Sequence, residues 1–293
     1  MMSSMLSQLR ILEPHPGILA FYDGRVEGHR FADGPNWVDD GALSLGIASY
    51  ALIAGDQAIV YDTHVSVPHG RFIREALAAR GVTDIRVVLS HWHLDHVAGT
   101  EAFAGCEVIA NARTMAHLKA RQAAIEAGTD HGLPAINPLI LPDRVFDGHL
   151  RLDLGGEVVE LIEANIHSDD ATVLWLPERR ILLAGDTVED CVTYVGAPDD
   201  FAVHLADLAT LAALGAKWVL PNHGAAEVIA AGGYGADLLD ATADYIRHLQ
   251  ANDPRSMAEI IEPWLTDGTL RYFKPYESVH QQNRTRVQAM PQD

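Results

Sequence analysis

The stretch HWHLDH, residues 91–96, decides how this chain is interpreted. Four of its six residues, three histidines and one aspartate, are of types that bind metal ions. The stretch follows IRVVL, residues 85–89, after a single intervening residue, Ser90; this apolar and β-branched run predicts a buried strand. The polar cluster therefore lies on the loop at the carboxyl end of a strand, which is where open α/β sheets hold their functional sites.

The order of residues within this stretch predicts two neighbouring binding points. Alternate residues of an extended loop point to the same side, so the imidazoles of His91 and His93 can converge on one point. Asp95 and His96 then turn toward a second point beside it, and the spacing suits two metal ions better than one. Fifteen histidines in 293 residues produce some close pairs by chance, but this density directly after a strand indicates a site.

The stretch resembles the His-x-His-x-Asp-His signature of the metallo-β-lactamase superfamily. Three later segments resemble the places where that family carries its remaining metal ligands, and they occur in the family's order. They are ANIHS at 164–168 with the third histidine of the first site, His167, LLAGD at 182–186 with the bridging Asp186, and PNHG at 221–224 with the last histidine, His223. The resemblance covers about residues 44 to 224.

The seven candidate ligands divide into two sites, and residue type and the resemblance give the same division. The first site holds His91, His93 and His167. The second holds Asp95, His96 and His223, and Asp186 is shared between the two. Imidazole and carboxylate ligands suit two Zn²⁺ per chain, and also Fe, Mn or Ni. The resemblance further implies that Asp62, at the end of a predicted strand, supports the metal loop from behind.

The resemblance implies an α/β fold, a four-layered αβ/βα sandwich in which two sheets pack face to face between helices. Two β-rich parts, roughly residues 18 to 110 and 145 to 223, are interpreted as the two sheets. We expect residues 1–230 to form this domain and residues 231–293 to add C-terminal helices packed on it. In detail, we expect little pattern before residue 17 and strand from Val145 through Leu154.

Charge and cysteine content limit the binding partners and the cellular compartment that we expect for this chain. Forty acidic residues against 21 Lys and Arg give a net charge of −19, which disfavours nucleic acid and anionic membrane as partners. Two cysteines provide no disulfide framework, and Cys191 is expected to be a free thiol. Residues 1–10 lack a basic start followed by an apolar segment, so we expect no secretory signal and a cytoplasmic location. The sequence does not indicate an oligomeric state.

The ligand set predicts a zinc-dependent hydrolase that acts on a small carbonyl substrate. Metal coordination brings the pKa of water from about 15.7 to near 7, which supplies a hydroxide nucleophile at neutral pH. Asp95 is expected to orient that hydroxide and pass on a proton. Tyr194 is a second catalytic candidate, since its hydroxyl could stabilise an oxyanion, although a buried structural tyrosine is the alternative. A lactone or other ester is favoured over a β-lactam, because an ester has a better leaving group than an unstrained amide.

Two segments near the predicted site carry further expectations. His64 and His69 fall in a predicted loop over residues 63–70, where they would line the pocket or lie at the surface. The long connection over residues 129–142 is of the kind that is often functional. Its apolar members would either wall the pocket mouth or pack into the core; they are Leu133, Ile136, Leu139, Ile140 and Leu141.

Other activities of the same fold stay open at this point. β-Lactam-cleaving relatives often have Cys where this chain has Asp186, which weakens that expectation. Thioester hydrolases of the glyoxalase II kind bind glutathione through basic residues in their C-terminal part. The C-terminal part of this chain contains four basic residues without a recognisable pattern: Arg247, Arg255, Arg271 and Lys274.

Three further alternatives belong to other classes. A metal-dependent phosphodiesterase is disfavoured by the negative charge of the chain. An iron-dependent dioxygenase or flavodiiron-type reductase would usually change the ligand set. A protein with a purely structural metal would usually have a closed, Cys-rich site.

Overall fold

The computed structural model describes residues 6–290, and its strands form two sheets. The first sheet has seven strands that lie side by side in chain order: β1 (Arg10–His15), β2 (Ile18–Asp23), β3 (Ile47–Ala54), β4 (Gln57–Tyr61), β5 (Asp84–Val88), β6 (Glu107–Asn111) and β7 (Arg144–Phe146). They run antiparallel through β4 and parallel from β4 to β7.

The second sheet has five strands: β8 (His149–Leu154), β9 (Glu157–Ala164), β10 (Ala171–Leu176), β11 (Ile181–Gly185) and β12 (Trp218–Pro221). Their spatial order is β12-β11-β10-β9-β8, and the one parallel pair is β11 with β12. The helices of the described chain are α1 (Val67–Ala78), α2 (Leu94–Val97), α3 (Ala112–Glu126), α4 (Phe201–Ala213), α5 (Ala226–Ala230), α6 (Asp237–Gln250), α7 (Met257–Thr266) and α8 (Tyr276–Gln288).

Alternate residues of the first sheet belong to different apolar cores. On β2, Ala20 and Tyr22 join the core shared with the second sheet, whereas Leu19 and Phe21 join the core beneath α1 and α3. This is the period-2 alternation of a strand, with both faces covered. The second sheet packs with residues of α4 and α6 in the shared core. The predicted αβ/βα sandwich is therefore confirmed.

Three buried tyrosines tie the first sheet to the second half of the chain. The Tyr22 hydroxyl donates to the Gly224 carbonyl at 2.8 Å, and the Tyr50 hydroxyl donates to the Pro221 carbonyl at 2.6 Å. The Tyr61 hydroxyl donates to the Thr172 carbonyl, also at 2.6 Å. A buried carbonyl without a donor is costly, so these bonds hold the two sheets in one relative position.

Three details of the sequence interpretation were wrong. Residues 10–15 form β1, an edge strand whose mixed burial hides the alternation expected of a strand. The predicted strand from Val145 through Leu154 is two strands in different sheets, because the turn at residues 147–148 carries the chain from the first sheet to the second. Residues 67–70, predicted as part of a loop, belong to the first helix, which begins at Val67, where the Ser66 side chain caps it and Pro68 lies in its first turn.

The C-terminal helices share the main core rather than forming a separate one. Residues of α6, α7 and α8 belong to the same apolar cluster as both sheets. The division at residue 230 stays a prediction. The ends of the two predicted parts, residues 1–5 and 291–293, lie outside the described residues, as does half of the stretch judged for a secretory signal. Among residues 6–290, no helix combines the length and the apolar character needed to cross a bilayer.

Replacing Tyr50 by Phe should lower the free energy of unfolding by about 1–3 kcal/mol, because the buried Pro221 carbonyl loses its donor. The measurement is chemical denaturation of the purified variant. Tyr272→Phe is the matched control, since Tyr272 is 45% exposed and its hydroxyl contacts Glu277 at the surface. A Tyr50→Phe protein as stable as the control would contradict this role for the tyrosine.

Candidate metal centre

The candidate ligands follow the carboxyl ends of strands in both sheets. The 91–96 stretch follows β5, and its second half forms the one-turn helix α2. In the second sheet, His167 follows β9, Asp186 directly follows β11, and His223 lies two residues after β12. These three strands run in the same direction, so their ends meet at one edge of the sheet. The structure brings all seven candidates together there.

Three imidazoles converge at the predicted first site. The Nδ1 atom of His93 lies 2.9 Å from His91 Nε2 and 3.0 Å from His167 Nε2. His91 is 1% exposed and His167 is 6% exposed, so water has little access to them. Three ring nitrogens this close together form a ready set of donors for one cation.

The carboxylate of Asp186 lies between the two sets of ligands. Its Oδ2 atom is 3.0 Å from His96 Nε2 and 3.4 Å from His223 Nε2. The same atom is 3.7 Å from both His91 Nε2 and His167 Nε2. One oxygen therefore faces imidazoles of both predicted sites, which is the position that the sequence analysis assigned to a shared ligand.

Asp95 completes the second group. Its Oδ2 atom lies 3.2 Å from His223 Nε2, and its Oδ1 atom lies 3.6 Å from His96 Nε2. The first residues of a helix expose their side chains beyond the helix end, and Asp95 retains 19% side-chain exposure on the pocket side. The second group is thus reached from the pocket through Asp95.

The two groups differ in their electrostatics. Burial lowers the pKa of His91 and His93 well below the usual value, and the neighbouring imidazoles lower it further. Burial also opposes the charged forms of His96 and His223, but Asp186 and other carboxylates outweigh it and hold both pKa values well above normal. These same two histidines hold the pKa of Asp186 well below its usual range despite burial.

This donor set fits metal ions. Neutral imidazoles and ionised carboxylates are the forms that coordinate Zn²⁺ and similar cations. The second oxygen of Asp186, Oδ1, is buried and has no hydrogen-bond partner among residues 6–290. A buried carboxylate oxygen without a donor is unfavourable, and a bound cation would satisfy it.

Asp62 supports the ligand loop from behind. Its Oδ1 atom accepts a hydrogen bond from the Ser90 amide at 2.7 Å, just before the ligand stretch. Its Oδ2 atom lies 2.9 Å from His96 Nδ1 and accepts from the Asn222 amide group at 2.5 Å. Asp62 thus fixes the ring nitrogen of His96 that faces away from Asp186, and it connects the loops that carry His96 and His223.

Two other ligand candidates are oriented in the same manner. His223 Nδ1 lies 2.7 Å from the Gly46 carbonyl, to which it donates its proton. His91 Nδ1 lies 2.9 Å from the Ser90 hydroxyl. A partner on one ring nitrogen sets the tautomer and turns the other nitrogen toward the centre.

A cavity of about 390 Å³ opens onto these groups. Tyr194 lines it, with its ring centroid 5.4 Å from that of His167. Trp37 and Trp92 form apolar parts of the wall, and Arg286 of α8 lies over the Tyr194 ring. Sequence reasoning found Tyr194 but missed Trp37 and Arg286, since neither belongs to a motif and both reach the pocket only through tertiary packing.

The sequence profile described as "Metallo-beta-lactamase superfamily" matches residues 44–223, which is more than half of the 293 residues. The chain belongs to the metallo-beta-lactamase superfamily. This superfamily member is 28% identical over 171 residues to a hydroxyacylglutathione hydrolase of Synechococcus sp. (strain WH7803), a match that covers 54% of this chain and 57% of the relative. It is 26% identical over 140 residues to a hydroxyacylglutathione hydrolase of Rhodobacter capsulatus, covering 48% of each.

The match thus spans about half the length of these curated relatives. Among solved structures, a metallo-beta-lactamase from Pontibacter korlensis superposes with a TM-score of 0.62 at 19% identity. That superposition covers 82% of this chain and 99% of the other. At this identity the likeness shows that the superfamily fold is shared.

His64 and His69 do not line the pocket of this superfamily member. Both are fully buried, and their rings stack with centroids 4.4 Å apart. His69 lies in α1, where Nδ1 contacts the Ser66 hydroxyl at 2.7 Å and Nε2 contacts Asp23 at 3.1 Å. The expectation of a pocket or surface position was therefore wrong, because the residues belong to a hydrogen-bonded core network.

Of the two expectations for the apolar members of residues 129–142, packing into the core is confirmed for Ile136 and Leu139, and the apolar pocket wall is wrong. Ile136 and Leu139 are buried in the core beneath α3, and Leu133 is 64% exposed. His131 is the member of this loop that lines the pocket. The apolar wall comes instead from Trp37 and other residues of distant segments.

The four basic residues considered for glutathione do not line the pocket; they are Arg247, Arg255, Arg271 and Lys274. Cys191 is a free, buried thiol, and burial raises its pKa to about 12. Its sulfur accepts from the Phe273 amide at 3.3 Å, which places it away from the candidate ligands.

Metal analysis of Zn²⁺-reconstituted protein should approach two equivalents per chain. Asp186→Ala should weaken both metals because the shared carboxylate is lost, whereas His96→Ala should keep about one equivalent in the site of three imidazoles. His149→Ala is the control, since its side chain is 52% exposed and contacts Glu160. A wild type limited to one equivalent under saturating metal, or an Asp186→Ala protein that keeps both, would refute this ligand assignment.

Proposed function

We propose that this protein is a dinuclear metal-dependent hydrolase of a small carbonyl substrate, with a lactone or other ester as the preferred class. The observation that carries the proposal is the position of Asp186 Oδ2, which lies within 3.7 Å of four imidazole nitrogens from both groups. Membership of the metallo-beta-lactamase superfamily supports hydrolysis. A cytoplasmic location is part of the proposal.

The proposed metals are two Zn²⁺. His91, His93 and His167 would hold one, Asp95, His96 and His223 the other, and Asp186 both. When bound, such ions supply a water ionised near neutral pH and polarise the carbonyl oxygen. The rest of the reaction depends on groups that the chain itself places around the pocket.

Asp95 is the proposed proton carrier. It lines the pocket, and His96 and His223 outweigh its burial and hold its pKa well below the usual range. The carboxylate is therefore ionised at neutral pH and accepts a hydrogen bond from the attacking water. Once it has taken that proton from the water, it can deliver the proton to the leaving group at the same place.

Tyr194 is the proposed oxyanion donor. Burial raises its pKa above the usual value, and Arg286 opposes this shift. The phenol thus stays protonated at neutral pH, and its hydroxyl contacts Arg286 at the pocket wall. A protonated hydroxyl beside His167 can donate to a carbonyl oxygen that gains charge in the transition state.

The charges of the pocket support a neutral or weakly charged substrate. Asp40, Asp95, Asp186 and Glu189 line it, and Arg286 is the one Arg or Lys side chain among its lining residues in the described chain. This balance disfavours a polyanion such as a nucleic acid or a phosphodiester with several charges. The aromatic wall accommodates a ring or a short acyl chain.

Thioester hydrolysis is the second candidate, supported by the two relatives named as hydroxyacylglutathione hydrolases. Against it, the basic residues of the C-terminal part that were considered for glutathione do not line the pocket. β-Lactam cleavage ranks lower for two reasons. The structural likeness to a metallo-beta-lactamase, at 19% identity, concerns the fold. The shared ligand position holds Asp186, where β-lactam-cleaving relatives often have Cys.

The test is kcat/KM of the Zn²⁺-loaded enzyme on a panel of lactone, ester, thioester, β-lactam and phosphodiester substrates. We expect a lactone or ester to lead, because an alkoxide leaves more readily than an amide and because Arg286 is the one Arg or Lys side chain that lines the pocket among the described residues, which disfavours anionic thioesters and phosphodiesters. Tyr194→Phe should lower kcat for that substrate by about ten- to a thousandfold through the lost donor. A phosphodiester or β-lactam preferred over all other classes by about 100-fold, or about 2.7 kcal/mol, would overturn the proposal.

A further inference from the structure

Glu189 lies three residues after Asp186 and belongs to no motif recognised in the sequence. Its side chain is 2% exposed, yet it lines the pocket beside the candidate metal centre. A carboxylate is rarely buried without partners that use its charge. The partners of Glu189 therefore indicate its role.

One of these partners is His167. The Nε2 atom of His167 faces His93 and Asp186, while its Nδ1 atom lies 3.4 Å from Glu189 Oε1 and 3.5 Å from the Thr193 hydroxyl. Both atoms can accept the Nδ1 proton. When Nδ1 carries the proton, the free lone pair is on Nε2, the nitrogen turned toward the centre.

The remaining contacts hold the carboxylate in place rather than leave it free to bind a cation. The Tyr276 hydroxyl donates to Oε2 at 3.0 Å. The Tyr194 amide donates to Oε1 at 3.2 Å. The Thr193 hydroxyl lies 3.2 Å from the same oxygen and 2.7 Å from the Asp186 carbonyl, its nearer acceptor. Both carboxylate oxygens of Glu189 have hydrogen-bond donors from the protein. Glu189 therefore contacts His167 on the side away from the centre and is not an eighth candidate ligand.

The C-terminal helix α8 secures this arrangement. Tyr276, its first residue, is fully buried. Asn283, two turns later, donates to the Thr193 carbonyl at 2.9 Å and accepts from the Val195 amide at 2.9 Å. The helix thus fixes both ends of the segment that runs from Glu189 to Val195.

We propose that Glu189 is a positioning residue for His167. Tyr276 of α8 fixes the Glu189 carboxylate, and this carboxylate holds the Nδ1 proton of His167. The Nε2 atom of His167 is thereby turned toward the metal of the three-histidine site. The inference rests on the proposed function only in requiring that this site binds a metal. It assigns a task to the C-terminal helices, which the motifs of the superfamily signature do not cover.

The test uses the full-length protein, Co²⁺ as a spectroscopic metal, and no substrate. Glu189→Gln removes the charge with little change in shape and should weaken Co²⁺ binding at the three-histidine site by roughly ten- to a hundredfold. The second site should change less than about threefold. The hyperfine-shifted N–H proton resonance of His167 in the Co²⁺ protein should broaden or disappear, because its acceptor is weakened.

Two further variants separate positioning from general structural damage. Glu126→Gln is the matched control, since Glu126 accepts the Leu139 amide far from the ligands and should leave both affinities unchanged. Tyr276→Phe keeps the Glu189 carboxylate but releases Oε2, and should weaken the same site in the same direction by a smaller factor. If Glu189→Gln does not fold, Tyr276→Phe decides: a selective loss at the three-histidine site supports the proposal, and unchanged affinity overturns it.

The outcomes also separate this inference from the proposed reaction. Unchanged Co²⁺ affinity and an unchanged His167 resonance in folded Glu189→Gln would overturn the positioning role, while activity of the wild type on the substrate panel would leave the hydrolase intact. A selective loss of metal in a protein that hydrolyses none of the panel would support the positioning role and overturn the reaction.

Discussion

The carboxylate of Asp186 faces imidazoles from both candidate sites, and the polar centre of the molecule depends on that contact. An ionised carboxylate in so buried a position is stable only beside positive charge. Without metal, His96 and His223 supply that charge, as their raised pKa values indicate. Bound cations would supply that charge instead, with His96 and His223 as neutral ligands. Either way, removing Asp186 leaves several buried nitrogens without their common partner.

The rest of the fold serves to bring that carboxylate and its histidines to one place. Strands from both sheets end at the same edge, and Tyr50 and Tyr61 join the sheets just behind it. Asp62 from the first sheet holds His96, and Glu189 from the second half contacts His167. Each half of the sandwich therefore contributes candidate ligands together with carboxylates that contact them.

The features of the fold and the site that could be predicted from the sequence are those marked by a pattern within one short segment. The 91–96 stretch is a dense local pattern, so its strand end and its ligands could be predicted directly. His167, Asp186 and His223 lie in short segments that resemble the superfamily's motifs, and their order sufficed to select them. The sandwich followed from the same resemblance, and the strand patterns placed most of its elements.

The errors concern residues whose role depends on distant partners. Trp37, Glu189 and Arg286 reach the pocket only through packing, and no periodicity distinguishes them from ordinary surface or core residues. His64 and His69 looked available beside a ligand loop, but Ser66 and Asp23 draw His69 into the core. A pattern of residue types cannot show which of two nearby histidines finds a buried partner.

The central claim is that seven side chains hold two metal ions with Asp186 between them. Anomalous diffraction from crystals of the Zn²⁺-reconstituted protein, recorded on both sides of the zinc edge, tests it most directly. The account predicts two zinc peaks per chain, one bonded to His91, His93 and His167 and the other to Asp95, His96 and His223, with Asp186 bonded to both. A single peak at full occupancy, or a second peak bonded to residues outside this set, would contradict it.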